Sequence, residues 1–138
     1  MGRLTQAAAE EEEQEVEEIE LALMFLPLRS LKNETMARYF LKLSYKGTNY
    51  HGWQIQDNAN TVQQEVNTVL STVLNEAIQC TGCGRTDTGV HATEFYAHFD
   101  SDRENISDEE TIFKLNGCLA SDISIAEIWK VPPESNVR

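Results

Sequence analysis

The sequence predicts an α+β sandwich with the element order β-α-β-β-α-β. Three observations carry that prediction. Apolar residues alternate with period two in separate short stretches, they recur at helical spacing in two others, and links rich in glycine, asparagine or proline stand between them.

The first strand is Tyr39-Phe40-Leu41-Lys42-Leu43-Ser44-Tyr45, in which Tyr39, Leu41, Leu43 and Tyr45 share one face. Lys46-Gly47-Thr48-Asn49 follows as a turn. Thr61 opens a helix with Gln64 as its capping-box partner, and Val62, Val66, Val69, Leu70, Val73 and Leu74 form the apolar stripe. Ala77 to Cys83 fits a short strand, Gly84 to Ala92 a loop, and Thr93 to Asp100 a strand burying Phe95, Ala97 and Phe99. These two strands are expected to be antiparallel neighbours. Ser107 starts a second helix, where Asp108, Glu109 and Glu110 favour the positive end of the dipole and Ile112, Leu115 and Leu119 face inward. Ile123 to Val131 is the last strand, alternating Ile123, Ile125, Trp129 and Val131 before Pro132-Pro133 ends it. Two helices on one face of a four-stranded sheet define a ferredoxin-like sandwich.

At 138 residues the chain suffices for one domain with its own core. Residues 1–36 read as an acidic N-terminal extension, helical or disordered, with a Glu-rich run after Ala7-Ala8-Ala9 that Pro27 would stop or kink; residues 37–138 read as the folded domain. The net charge is -12, and residues 38–138 alone hold fourteen acids against eight bases. Phosphate binding is driven by clustered Lys and Arg, so RNA affinity would need a local basic strip or a surface supplied from elsewhere. Three cysteines without a secretory signal point to a reducing cytoplasm. The apolar run Leu21–Leu28 is far short of the roughly 20 residues that span a bilayer, so no membrane association is expected.

The most informative stretch is Gly84-Arg85-Thr86-Asp87-Thr88-Gly89-Val90-His91-Ala92. Its glycines permit backbone conformations closed to other residues and let a ligand approach. Strand-like alternation would place Arg85 and Asp87 on one side, where a guanidinium keeps a carboxylate ionised. Such a carboxylate is a competent nucleophile or base, although an Asp capping its own turn and pairing with Arg would explain the same residues. Upstream, Lys46 and Gln54 are polar residues within an aromatic, glycine-containing loop, a composition that suits flipped or single-stranded RNA. Trp53 fits the core better than the loop surface.

The stretch Gly84–Ala92 resembles the signature of the TruA family of tRNA pseudouridine synthases. Tyr45-Lys46-Gly47-Thr48-Asn49-Tyr50-His51-Gly52-Trp53-Gln54 resembles that family's other amino-terminal motif, and the similarity continues through Thr61-Val62-Gln63 to Ser135-Asn136-Val137-Arg138. The resemblance implies that Asp87 is the catalytic nucleophile, that Arg85 organises it, and that Lys46, Gln54 and His91 contact RNA, His91 having loop closure as its other reading. It implies a substrate uridine in the tRNA anticodon stem-loop, at positions 38 to 40, a homodimer as the full-length unit, and no metal or redox cofactor. It also implies a catalytic tyrosine beyond the position matched by Arg138, so the chain by itself is expected to be weak or inactive. Two other classes stay open: a non-catalytic RNA-binding fragment of the same fold, and a thiol or zinc module using Cys80-Thr81-Gly82-Cys83, for which period two places the cysteines on opposite faces.

Overall fold

A computed structural model describes residues 36–138; the acidic run and its expected helix lie outside the described residues. The described elements are β1 (Ala37–Tyr45), a single 3-10 turn (Gly47–Asn49), α1 (Val62–Leu74), β2 (Thr81–Gly82), β3 (Ala92–Ser101), α2 (Glu109–Cys118) and β4 (Ile123–Val131). The sheet order is β2-β3-β1-β4, and every neighbouring pair is antiparallel. This is the expected ferredoxin-like arrangement, with β1 and β3 at its centre.

Period two in β1 and β3 sends Tyr39, Leu41, Leu43, Tyr45, Phe95, Ala97 and Phe99 to one face. There they join Val62, Val66, Leu70 and Leu74 of α1 and Leu115 of α2 in a single buried cluster. Helix α1 begins where Thr61 Oγ1 accepts from the Gln64 N–H at 3.4 Å, and ends at Asn75, which takes the left-handed conformation (φ 53°). No described helix is long and apolar enough to cross a membrane.

Three expectations need correction. Strand β2 is only Thr81–Gly82, because helix α1 takes the backbone groups before it: Ser71 Oγ exchanges hydrogen bonds with both Ile78 N and O, and Asn67 Oδ1 accepts from Cys80 N. A segment whose amides are committed to helix side chains cannot also pair as a strand. Strand β4 does not keep one alternation: Leu43 faces Ile125 while Lys42 faces Glu127, so Ala126 is an extra residue and Ile128, not Trp129, turns inward. Trp129 instead packs edge-on to Phe40 and Tyr96 on the face away from the helices. The cap of α2 is Asp108, whose side chain accepts from Thr111 N at 2.9 Å, one residue after the expected Ser107.

Candidate active site

The register brings three chain segments to one end of the sheet, since Tyr45 faces Ala92 of β3 on one side and Ile123 of β4 on the other. The two motif-bearing loops, residues 46–61 and 83–91, therefore meet there. They meet backbone to backbone: a side chain on Gly47 would lie 1.9 Å from the Val90 carbonyl oxygen, and one on Gly52 (φ 78°) only 2.2 Å from that of Thr86.

Directed hydrogen bonds hold the same seam. Gly89 N–H donates to Tyr50 O at 3.1 Å, and Gly47 N–H to His91 Nδ1 at 2.9 Å. The Tyr45 hydroxyl shares a 2.8 Å hydrogen bond with Thr86 Oγ1, and burial raises that phenol above its ordinary pKa. Trp53 lies beneath, fully buried and 4.4 Å from the Phe95 ring centroid, in the core as its size suggested.

Asp87 opens a tight turn in which Val90 N–H donates back to Asp87 O at 3.1 Å and Gly89 supplies the positive φ (82°). That is the pattern of a type II turn, and it leaves the Asp87 side chain exposed. The backbone around Asp87 is clamped, while its carboxylate stands exposed and takes part in none of the side-chain hydrogen bonds or ion pairs among the described residues. Arg85 is exposed too, but the three ion pairs among the described residues do not include Arg85 with Asp87. The electrostatic support expected from Arg85 is therefore not made in this arrangement of the chain. Gly84 has open space around it and no positive φ, so only Gly89 of the two loop glycines is required by its conformation.

Lys46, His91 and Asp122 together line a cavity of about 530 Å³, with Lys46 and Asp122 adjacent across the end of the β1–β4 pairing. Gln54 is half-buried and does not line it, and neither do Arg85 and Asp87. Two residues that sequence reading passed over are structural here. Gln63 is buried and bridges the loops to the sheet, donating to Cys80 O at 2.7 Å and accepting from Ile55 N at 2.9 Å. Asp122 accepts from the Tyr50 hydroxyl at 2.7 Å through Oδ1, and from Lys46 N at 2.9 Å through its backbone carbonyl. Burial, and then this carboxylate, push the Tyr50 phenol far above its ordinary range. Asp122 had no signal beyond being a polar group near a turn, and Gln63 was marked only as part of the Thr61-Val62-Gln63 stretch, with no role attached. Arg138, which the motif comparison singled out, donates from Nε to Gly82 O at 3.2 Å, at the root of the Asp87 loop.

The cysteines do not form a dithiol site. Cys80 is buried, with its thiol pushed up to about 12 by desolvation, while Cys83 is exposed. No group of three or more His, Cys, Asp or Glu among the described residues is placed to hold a metal ion.

A four-stranded antiparallel sheet with two helices on one face and an exposed aspartate on a clamped inter-strand turn defines the class: a ferredoxin-like α+β half-domain. The comparisons give the family. No family model matches the chain. It is 47% identical over 104 residues to tRNA pseudouridine synthase A of Bacteroides thetaiotaomicron, covering 75% of this chain and 38% of that protein. It is 42% identical over 103 residues to the enzyme of that name from Aquifex aeolicus (75% and 42%), and 48% identical over 94 residues to that from Coxiella burnetii (68% and 35%). The chain belongs to the tRNA pseudouridine synthase A (TruA) family, matching its amino-terminal half. It spans about two-fifths of the length of the curated relatives it matches.

Proposed function

We propose that this chain supplies the nucleophile-bearing half of a tRNA pseudouridine synthase, with Asp87 as the attacking carboxylate. The observation that carries the reading is the seam between the two motifs. Stretches thirty residues apart in sequence interlock so that the one exposed carboxylate of the Gly84–Ala92 loop stands at a fixed turn.

Asp87 attacks the target nucleotide at the sugar C1′ or the base C6, the bond between base nitrogen N1 and the sugar breaks, and the base turns and bonds C1′ through its C5; the bond to Asp87 is released, the proton on C5 leaves and N1 takes one up. Substrate and product are isomers, so no electrons or groups are exchanged with a cofactor. The target must leave its stack to reach the turn. Arg85, two residues away on the same exposed loop, orients the carboxylate or the nucleotide once substrate is present; Lys46, Gln54 and His91 contact RNA. The substrate is the tRNA anticodon stem-loop, the working unit is a homodimer of the longer protein, and the compartment is the cytoplasm.

Asp87→Asn in the full-length protein keeps size and shape while removing the charge, and pseudouridine formation in a tRNA transcript, read by mass spectrometry, is expected to fall by at least about a thousandfold. Undiminished product would end the nucleophile assignment. For the 138-residue chain alone, binding of RNA without turnover is the second reading. It is favoured by the position of Asp87 outside the cavity that Lys46 and His91 share.

A further inference from the structure

We propose that the cavity at the loop end of the sheet is a ribonucleotide subsite, holding the ribose and phosphate of a nucleotide adjacent to the target. The identity of the polymer rests on the pseudouridine synthase reading; the chemistry of the subsite rests on the cavity itself.

At about 530 Å³ the cavity is of a size that takes a nucleotide-sized ligand. Two of its lining residues supply donors. Gly47 N–H donates to His91 Nδ1, so that nitrogen must present a lone pair, and the ring of neutral His91 then carries its proton on Nε2 as a donor. The Lys46 side chain is exposed and takes part in none of the three ion pairs among the described residues. An ammonium group and an imidazole N–H lining one cavity are phosphate-binding chemistry.

Acceptors and hydroxyls lie beside these donors. Asp122 gives Oδ1 to the Tyr50 hydroxyl, which leaves its second oxygen to accept from a ligand, and Ser44 and Ser124 face each other across the β1–β4 pairing and line the same cavity. A carboxylate beside a phosphate site repels an anion, so its place there suits a neutral donor on the same ligand. The ribose 2′-hydroxyl is that donor, and it is the group by which a protein tells RNA from DNA. The Lys46 N–H donating to Asp122 O fixes the donors and acceptors side by side. His91 lies four residues from Asp87 on one loop, a reach of at most about 14 Å, so a nucleotide held here belongs to the same short stretch of strand as one at Asp87.

The test is titration of the isotope-labelled chain by NMR with uridine 3′-monophosphate, its 2′-deoxy analogue and inorganic phosphate as separate probes. Saturable shifts at Lys46, His91 and Ser124, with the deoxy analogue bound at least about fivefold more weakly and Lys46→Ala weakening both nucleotides similarly, are the expected results. Lys46 is an exposed side chain, so its replacement leaves the fold in place. Shifts confined to other residues, equal affinity for the ribo- and deoxynucleotide, phosphate binding as tightly as the nucleotide, or no saturable binding would each overturn the subsite. The pseudouridine assay of Asp87→Asn reports separately: loss of turnover with no nucleotide bound here leaves the enzyme reading standing and removes only the subsite, and the converse pattern does the opposite.

Discussion

The helix-covered face of the sheet and the loop seam at its end are held by different forces. The face is apolar burial, in which Leu41, Val62, Val66, Leu70 and Leu115 exclude water without directional requirements. The seam is specific: two glycines that admit no side chain, a positive-φ turn and hydrogen bonds from Gly47, Tyr45 and Gly89 across to or from the partner loop. The core thus sets whether the domain folds, and the seam sets where Asp87 stands. Substitutions in the first should cost stability, and those in the second activity out of proportion to stability.

Trp53 is the residue at which the two meet, since it belongs to the loop by sequence and to the core by burial. Trp53→Ala should show the largest effect, a loss of about 3–5 kcal/mol in urea unfolding, as expected for emptying a large buried aromatic site. A loss under about 1 kcal/mol would mean that the loop is not anchored to the core. One feature of the side chain works against it: its indole N–H is buried without a hydrogen-bond partner beside Gly82.

Gly52→Ala sharpens the comparison from the other side. The new methyl group would meet Thr86 O at 2.2 Å in a backbone conformation that disfavours side chains, so the Asp87 loop must shift. The expected stability loss is about 1–2 kcal/mol, from the cost of positive φ and local adjustment. The expected loss of turnover in the full-length protein is larger in energy, about a hundredfold or more, because displacement of a reacting group by about 1 Å has that effect. Equal losses on both scales would show that the seam is merely structural.

The difference between the regions also explains what the sequence disclosed. Strands β1 and β3 and helix α1 were legible because burial imposes period two or 3.6 on Tyr39–Tyr45, Phe95–Phe99 and Val62–Leu74. Strand β2 was overextended because Ile78 and Cys80 alternate like a strand while their amides serve Ser71 and Asn67, partners that no local pattern reveals. The bulge at Ala126 depends on register with β1, so Trp129 was assigned to the wrong face. At the site, both motifs and Asp87 were legible, but their interlock through Gly47 and Gly52 was not, since close approach is a property of two segments at once. The spacing of Arg85 and Asp87 does leave both exposed on either side of Thr86, which turns in to Tyr45, but a shared side does not by itself make an ion pair, and none joins them.

The smallest effect is expected on the face away from the helices. His98 is buried there against Phe40, with its Nδ1 accepting from Val137 N at 3.4 Å. Its pKa is lowered from 6.5, chiefly by burial and then by the positive charge of Arg38, with Asp100 opposing the shift and Arg138 adding a lesser push in the same direction as Arg38. The folded state therefore prefers neutral His98. At pH above about 6.5 neither state binds the proton and the preference costs nothing; as pH falls below that value the unfolded chain takes up the proton first, and stability declines. One proton limits this to about 1.4 kcal/mol per pH unit. Urea midpoints between pH 7.5 and 5 should fall for the native chain and fall less steeply for His98→Phe, which keeps the ring stacked on Phe40 without a titrating nitrogen. Parallel slopes would assign the acid sensitivity to other groups, among them the Arg38–Asp100 and Lys42–Glu94 pairs on the same open face.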